Sequence, residues 1–277
     1  RKNMKNLLNF ITAVLLSTTV VAAGDLTILN AGSKTGSFAM QSTAYAQDLG
    51  NNYNVTLDIP GDYCVAVKGI LPTLTGPTLM AWASDYESTG RDGQGCATVD
   101  FEPSQVVLHT SEAMEICSMN GSDIKQTSGK VGHTKPAYVF SRMIDNINNH
   151  YGTNHSKVPY EGSSATRTAV INGEVDYALT YPKHARLIEE NGGSCFYKMN
   201  GSDDPSLALT GDTVWLAFNM TTAETETLRN QIAALHSDCD AAIASFSGCG
   251  KNLKIDFAAT EDQIVTSWEA SVDAQRQ

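Results

Sequence analysis

Apolar and polar positions along this chain switch repeatedly between a two-residue and a 3.6-residue period. Leu26 to Asn30 reads as an extended apolar run. Phe38, Ser42, Tyr45 and Leu49 then fall on one helical face, which Gly50 and two asparagines close. Val55 to Ile59 predicts a second strand, and Val65 to Leu74 a short apolar helix. Thr78 to Trp82 predicts a buried strand that delivers Ser84, Asp85 and Tyr86 at its carboxyl end, the edge where open α/β sheets hold ligands. Residues 87–103, rich in Gly and Asp, predict a surface excursion. Gln105 to Met119 is strand-like, with a polar break at His109 to Glu112.

The same logic returns in the second half. Lys130 and Val131 lead into a loop from Gly132 to Pro136, after which Phe140, Ile144, Ile147 and Tyr151 line a helix face; Pro136 suits a first helical turn, where its missing N–H costs nothing. His155 to Tyr160, Val175 to Thr180 and Val214 to Phe218 read as further strands, and Glu161-Gly-Ser-Ser leads into another helix. Thr221 with Glu224 and Thr260 with Gln263 have capping-box spacing. Leu228, Ile232 and Leu235 give the first of these helices its apolar face, and Ile264, Trp268 and Val272 the second. Strands alternating with helices predict an α/β architecture with largely parallel sheets.

The stretch Leu26 to Phe38 is repeated in outline from Gly129 to Tyr138: an extended run, a loop of small polar residues, then a helix. Helices opening on such loops leave backbone N–H groups and a positive dipole end accessible to an anion. Gly32, Ser33, Lys34, Thr35, Gly36 and Ser37 in the first loop, and Gly132, His133, Thr134 and Lys135 in the second, are therefore candidate ligand contacts. Ser84, Tyr160, Ser163, Ser164, Thr180 and Tyr181 stand at expected strand ends or in following loops, where polar groups line clefts. Simpler roles compete with these: turn shaping for the glycines and Ser37, solvation for the lysines, an ordinary loop position for His133. Trp82 and Trp215 suit core or hinge packing.

Residues 1–24 have the build of an export signal, with Arg1, Lys2 and Lys5 before an apolar centre, Leu7 to Leu16, and small residues ending at Ala23. Its apolar part is short for a membrane span and is interrupted by polar residues. Removing those three cations from the 19 basic residues leaves 16 against 30 acidic ones, a formal charge of −14, which disfavours nucleic acid and anionic membrane surfaces as partners. All six cysteines lie after the signal, where an oxidising compartment makes disulfides the default. Cys239 with Cys249 is the best local pair; Cys64 with Cys96 and Cys117 with Cys195 would complete an even count, although spacing leaves the connectivity open. No Cys-x-x-Cys occurs. His150 and His155 lack a third ligand for a metal, and no cofactor is expected. Gly-Ser-Lys-Thr at residue 32 lacks the residue order of a phosphate loop, and Gly-x-Ser-x-Gly and His-Glu-x-x-His are absent, so catalysis is not expected. A hydrolase assembled from distant residues stays open as an alternative.

Ser128 to Tyr138, then Val158-Pro-Tyr-Glu-Gly-Ser-Ser164, then Asn172-Gly-Glu-Val-Asp176, resemble in order and spacing the receptors of tripartite tricarboxylate transporters, the Bug family. The first loop and the region from Trp215 to Ala258 are similar as well, so the resemblance covers essentially the whole exported chain. It implies a monomeric periplasmic binding protein of type II-like form, two α/β lobes with a carboxylate held between them by two strand-to-helix loops and then delivered to separate membrane permease subunits. On that basis the expected lobes are 25–116 with 217–277, and 117–216, with hinge strands near Val106 to Cys117 and Asp212 to Phe218. A receptor feeding a membrane sensor kinase would share that cleft. This chain departs from the family in its cation-bearing first loop, in its cysteine count, and in having Thr180 where an acidic residue often stands; the last point argues against a ligand with an amine.

Overall fold

The computed structural model describes residues 24–96, 98–134, 138–198, 210–236, 253–255 and 260–276. Two sheets organise them. The first has six strands in the order β11-β4-β10-β3-β1-β2, formed by β1 (Gly24–Leu29), β2 (Tyr53–Asp58), β3 (Thr78–Ala83), β4 (Val106–Ala113), β10 (Thr210–Phe218) and β11 (Leu253–Ile255). The second has five in the order β7-β6-β8-β5-β9: β5 (Glu115–Ser118), β6 (Lys130–Thr134), β7 (Ser156–Tyr160), β8 (Tyr177–Thr180) and β9 (Ser194–Lys198). Helices α1 (Ser37–Leu49), α2 (Ser84–Arg91), α6 (Thr222–His236) and α7 (Glu261–Ala274) accompany the first sheet, and α3 (Tyr138–Tyr151), α4 (Ser163–Ile171) and α5 (Pro182–Glu190) the second.

Both sheets are mixed, not mainly parallel. β1 runs parallel to β2 and β3, and β6 to β7 and β8, as strand-helix-strand units require. The antiparallel pairings all involve β4, β5, β9, β10 or β11. The chain passes from the first sheet to the second at Met114, between β4 and β5, and β10 brings it back. Residues 210–216, within the range expected for the second lobe, thus pair with β3 and β4 in the first sheet.

Each sheet is buried on both faces, and the two-residue period assigns the faces. Along β3, Leu79 and Ala81 pack with Tyr45, Trp215, Leu228 and Ile232 beneath α1 and α6, whereas Met80 and Trp82 pack with Val214, Trp268 and Val272 beneath α7. Trp82 and Trp215 are core residues, as expected. In the second sheet Ile116, Val131 and Leu179 meet Phe140, Ile144 and Ile147 of α3, while Cys117 and Ala178 meet Ala169, Val170, Ala185 and Ile188 of α4 and α5.

Three local expectations change. The segment after β3 is helical and buried from Ser84 to Thr89: Glu87 accepts hydrogen bonds from Trp82 Nε1 and the Val99 N–H, and Arg91 ties Glu87 to Glu269 of α7. The polar residues of β4 do not break the strand, because His109 and Ser111 both bond Asp212 on the neighbouring β10, at 2.9 and 2.8 Å. Gly132 and His133 lie inside β6, not in a loop. The capping boxes are present, Thr221 with Glu224 and Thr260 with Gln263.

Disulfides join Cys64 to Cys96 and Cys117 to Cys195. The second links directly opposed residues of β5 and β9, with Cα atoms 4.0 Å apart. Cys239, Cys249 and residues 1–23 lie outside the described residues. Among the described residues no helix is long and apolar enough to cross a membrane.

Candidate functional site

Parallel strands carry the chain to one edge of each sheet, and helices start there. The two edges face one another across a cavity with about 480 Å³ of atom-free space, its open mouth included. Gly32, Ser33 and Gly36 of the loop after β1, Phe38 of α1, Asp85 and Tyr86 of α2, and Thr213 of β10 line it from the first sheet. Thr134, Ser163 and Tyr181 line it from the second.

Several of the lining groups stand at helix starts. Gly36 is the N-cap of α1, Ser163 the first residue of α4, Tyr181 the N-cap of α5, and Asp85 sits in the first turn of α2. None of these four helices has a side-chain cap. The first three N–H groups of α1 (residues 37–39) and of α4 (residues 163–165) have no intrahelical acceptor, since Met40 and Thr166 are the first to bond back, to Gly36 and Gly162. Thr134 and Ser163 add hydroxyls 3.2 Å apart. Phe38, Tyr86 and Tyr181 supply an aromatic wall, with Phe38 edge-on to Tyr86 and Phe140 edge-on to Tyr181.

The sheets' edges touch around this cavity. Ser164 Oγ donates to the carbonyl of Thr35, and Tyr181 Oη donates to Asp85 Oδ2 at 3.3 Å. Gly162 presses on Ser33 so closely that a Cβ there would lie 2.6 Å from Ser33 Oγ and 3.2 Å from its Cβ, which accounts for a residue without a side chain. Further out, Arg142 of α3 approaches Asp92 at 3.9 Å.

Asp85 stands apart electrostatically. Its side chain is buried, and burial pushes its pKa up to about 6, against which the Tyr181 hydroxyl and the Tyr86 N–H act by favouring the charged form. Among the described residues no ion pair involves it, and no Lys, Arg or His lines the cavity.

The candidates from sequence are thus divided. Gly32, Ser33, Gly36, Thr134, Ser163 and Tyr181 line the cavity. Thr35 serves the contact between sheets through its carbonyl. Lys34 turns outward: it is exposed, lies over Gly61, and shares an outer groove with Asp48. Gly132 faces Tyr160, Val175 and Thr166 within the second sheet's packing. His133 is buried with its pKa lowered by desolvation, close to Phe140. Ser84 is held internally, accepting from the Asp212 N–H and Gln275 Nε2. Tyr160 lines a separate groove beside α4, and Thr180 is buried outside the cavity lining. Lys135 lies outside the described residues, and nothing is described of the Ser37 side chain. Among the described residues, the start of α4 faces the first loop. Asp85, Tyr86 and Thr213 were not site candidates, although Asp85 and Tyr86 were visible as carboxyl-end residues of a buried strand.

No protein-family model matches this chain, and no curated protein does. Solved structures match it in fold. One described as a periplasmic transporter superimposes with a TM-score of 0.66 at 11% identity, covering 93% of this chain and 96% of the other. A Rhodopseudomonas palustris protein, Rpa4515, solved with adipate gives 0.65 at 13% identity, over 92% and 95%. The periplasmic binding protein BugD gives 0.63 at 9% identity, over 91% and 95%. The chain has the two-lobe fold of these binding proteins.

Proposed function

We propose that this chain is an exported solute-binding receptor of the tripartite tricarboxylate type, which captures a small carboxylate by closing two lobes and hands it to membrane permease subunits. The uncapped starts of α1 and α4 carry the reading. They converge from different sheets on one cavity and offer N–H donors and positive dipole ends to an anion, with no acidic side chain in the first turn of either helix. The fold it shares with Rpa4515, solved with adipate, and with MatC of Rhodopseudomonas palustris, solved with malate (TM-score 0.57, 13% identity), supports a carboxylate as the occupant. Two disulfides among the described residues suit an oxidising compartment, in line with cleavage near Ala23.

The lobes are taken as the two sheets with their helices, hinged at Met114 and along β10. The ligand's energy of closure comes from touching both lobes only when they meet. Binding and release without chemical conversion make the chain a receptor and not an enzyme, acting as a monomer. Melting curves against a panel of di- and tricarboxylates, aromatic acids, amino acids, sugars and amines test the proposal. A carboxylate should raise the melting temperature, and its amide counterpart should not. Stabilisation by sugars alone, or conversion of any compound, would overturn it.

A further inference from the structure

The helix starts around the cavity are not equivalent. Those of α1 and α4 hold no side-chain anion, whereas that of α2 already holds one, Asp85, in its first turn. The cavity consequently holds groups of two kinds: backbone N–H donors with the Thr134 and Ser163 hydroxyls, and a buried carboxyl group.

We infer that Asp85 is a specificity-determining residue which accepts a cationic amine of the ligand, so that the solute captured is a zwitterion, a small amino acid. This inference rests on the proposed carboxylate capture and adds a second pole to it. Asp85 Oδ1 takes the Tyr86 N–H at 3.0 Å and Oδ2 takes the Tyr181 hydroxyl at 3.3 Å. A carboxylate has room for about four. Its present partners are neutral, and no described cation pairs with it. A buried carboxylate without a cation is costly, and a second bare carboxylate beside it raises that cost by like-charge repulsion. An ammonium group removes both penalties at once. Tyr181 bridges from the second sheet to the same oxygen, so the acceptor is completed only when the lobes meet. The argument from sequence against an amine looked for an acid at position 180, in the second sheet; the structure supplies the acid from the first.

The test is calorimetry of the full exported chain with matched ligand pairs: aspartate against succinate, glutamate against glutarate, leucine against 4-methylpentanoate, phenylalanine against 3-phenylpropionate, each with the amine lacking the α-carboxylate. The amino acid of at least one pair should bind wild type at least tenfold tighter than its deaminated partner, and Asp85→Asn should cut that ratio to threefold or less. If deaminated acids bind as well as amino acids in every pair, the inference fails and carboxylate capture stands. An unchanged ratio in Asp85→Asn removes the role from Asp85. If amines bind as well as amino acids, or if neither acid of any pair binds, carboxylate capture itself fails and the zwitterion goes with it. Because wild type alone supplies the pairwise ratios, poor folding of Asp85→Asn would not shield the inference.

Discussion

The helices at the back of the first lobe and those around the cavity solve the same problem in opposite ways. α6 and α7 begin with complete capping boxes: Thr221 and Glu224, and Thr260 and Gln263, satisfy each other's free backbone donors reciprocally. α1, α2, α4 and α5 begin at the cavity with no side-chain cap. A cap costs one polar residue and contributes about 1 kcal/mol, so leaving four helices without one forgoes stability that was easily available. On the proposed reading, the difference marks where the chain leaves donors for a ligand, at the starts of α1 and α4. Asp85 marks a further distinction within the cavity, since it places a negative charge at one of those four starts.

The largest effect expected from this contrast is on stability against pH. The folded-state pKa of Asp85 is raised from 3.8 to about 6 by burial, so its charge is disfavoured by folding. The sign follows: its contribution is fully present below pH ~4 and is lost as pH rises through about 6, a swing of roughly 3 kcal/mol at ~1.4 kcal/mol per pKa unit. The groups facing it are Tyr63, Tyr86 and Tyr181, none of which carries compensating positive charge. Ligand-free Asp85→Asn should therefore melt together with wild type near pH 4 and several degrees above it at pH 7.5. Equal melting at both pH values would break the distinction between Asp85 and its neighbours.

Next comes the ligand itself. At ~100 times its dissociation constant it should add ~2.7 kcal/mol, a rise of roughly 5–10 °C readable by thermal shift. Somewhat smaller is the effect of Gly162→Val. Its side chain meets Ser33 across the cleft and holds the lobes apart, so ligand affinity should fall about 10- to 100-fold in calorimetry, or ~1.4–2.8 kcal/mol, with the circular dichroism spectrum unchanged. Unaltered affinity would mean that binding does not need this closure. Smallest are Thr221→Ala and Thr260→Ala at the capped starts, each expected to lower stability by ~1 kcal/mol in urea unfolding with ligand affinity untouched. A matching loss from an equivalent change at Ser163, without loss of affinity, would erase the contrast between the two kinds of helix start.

Much of the scaffold was legible in the residues. Continuous apolar runs such as Thr78 to Trp82, the helix face Phe140, Ile144, Ile147 and Tyr151, and the two capping boxes depend on neighbours within a few positions, and local sequence specifies those contacts directly. The site was legible only in part. Gly36 and Ser163 could be found because a strand, a small polar loop and a helix start are local signals. Lys34 and His133 misled because charge and a ring nitrogen say nothing of direction: strand pairing turns His133 into the core, and Lys34 lies along Gly61 on the outside. The polar residues of β4 misled likewise, since their partner Asp212 lies a hundred positions away.

The sequence by itself thus determined most of the strands and helices, though not α2, α5, β9 or β11, together with which faces are apolar and which helix starts carry no bulky side chain, because those are properties of spacing and residue type. Tertiary structure alone decided that the start of α4 opposes the first loop, that Gly162 meets Ser33, and that Tyr181 reaches Asp85 across the cleft. These are contacts between groups tens to more than a hundred residues apart, set by two sheets each bringing its strand ends to one edge, and no local pattern encodes where two such edges come to face.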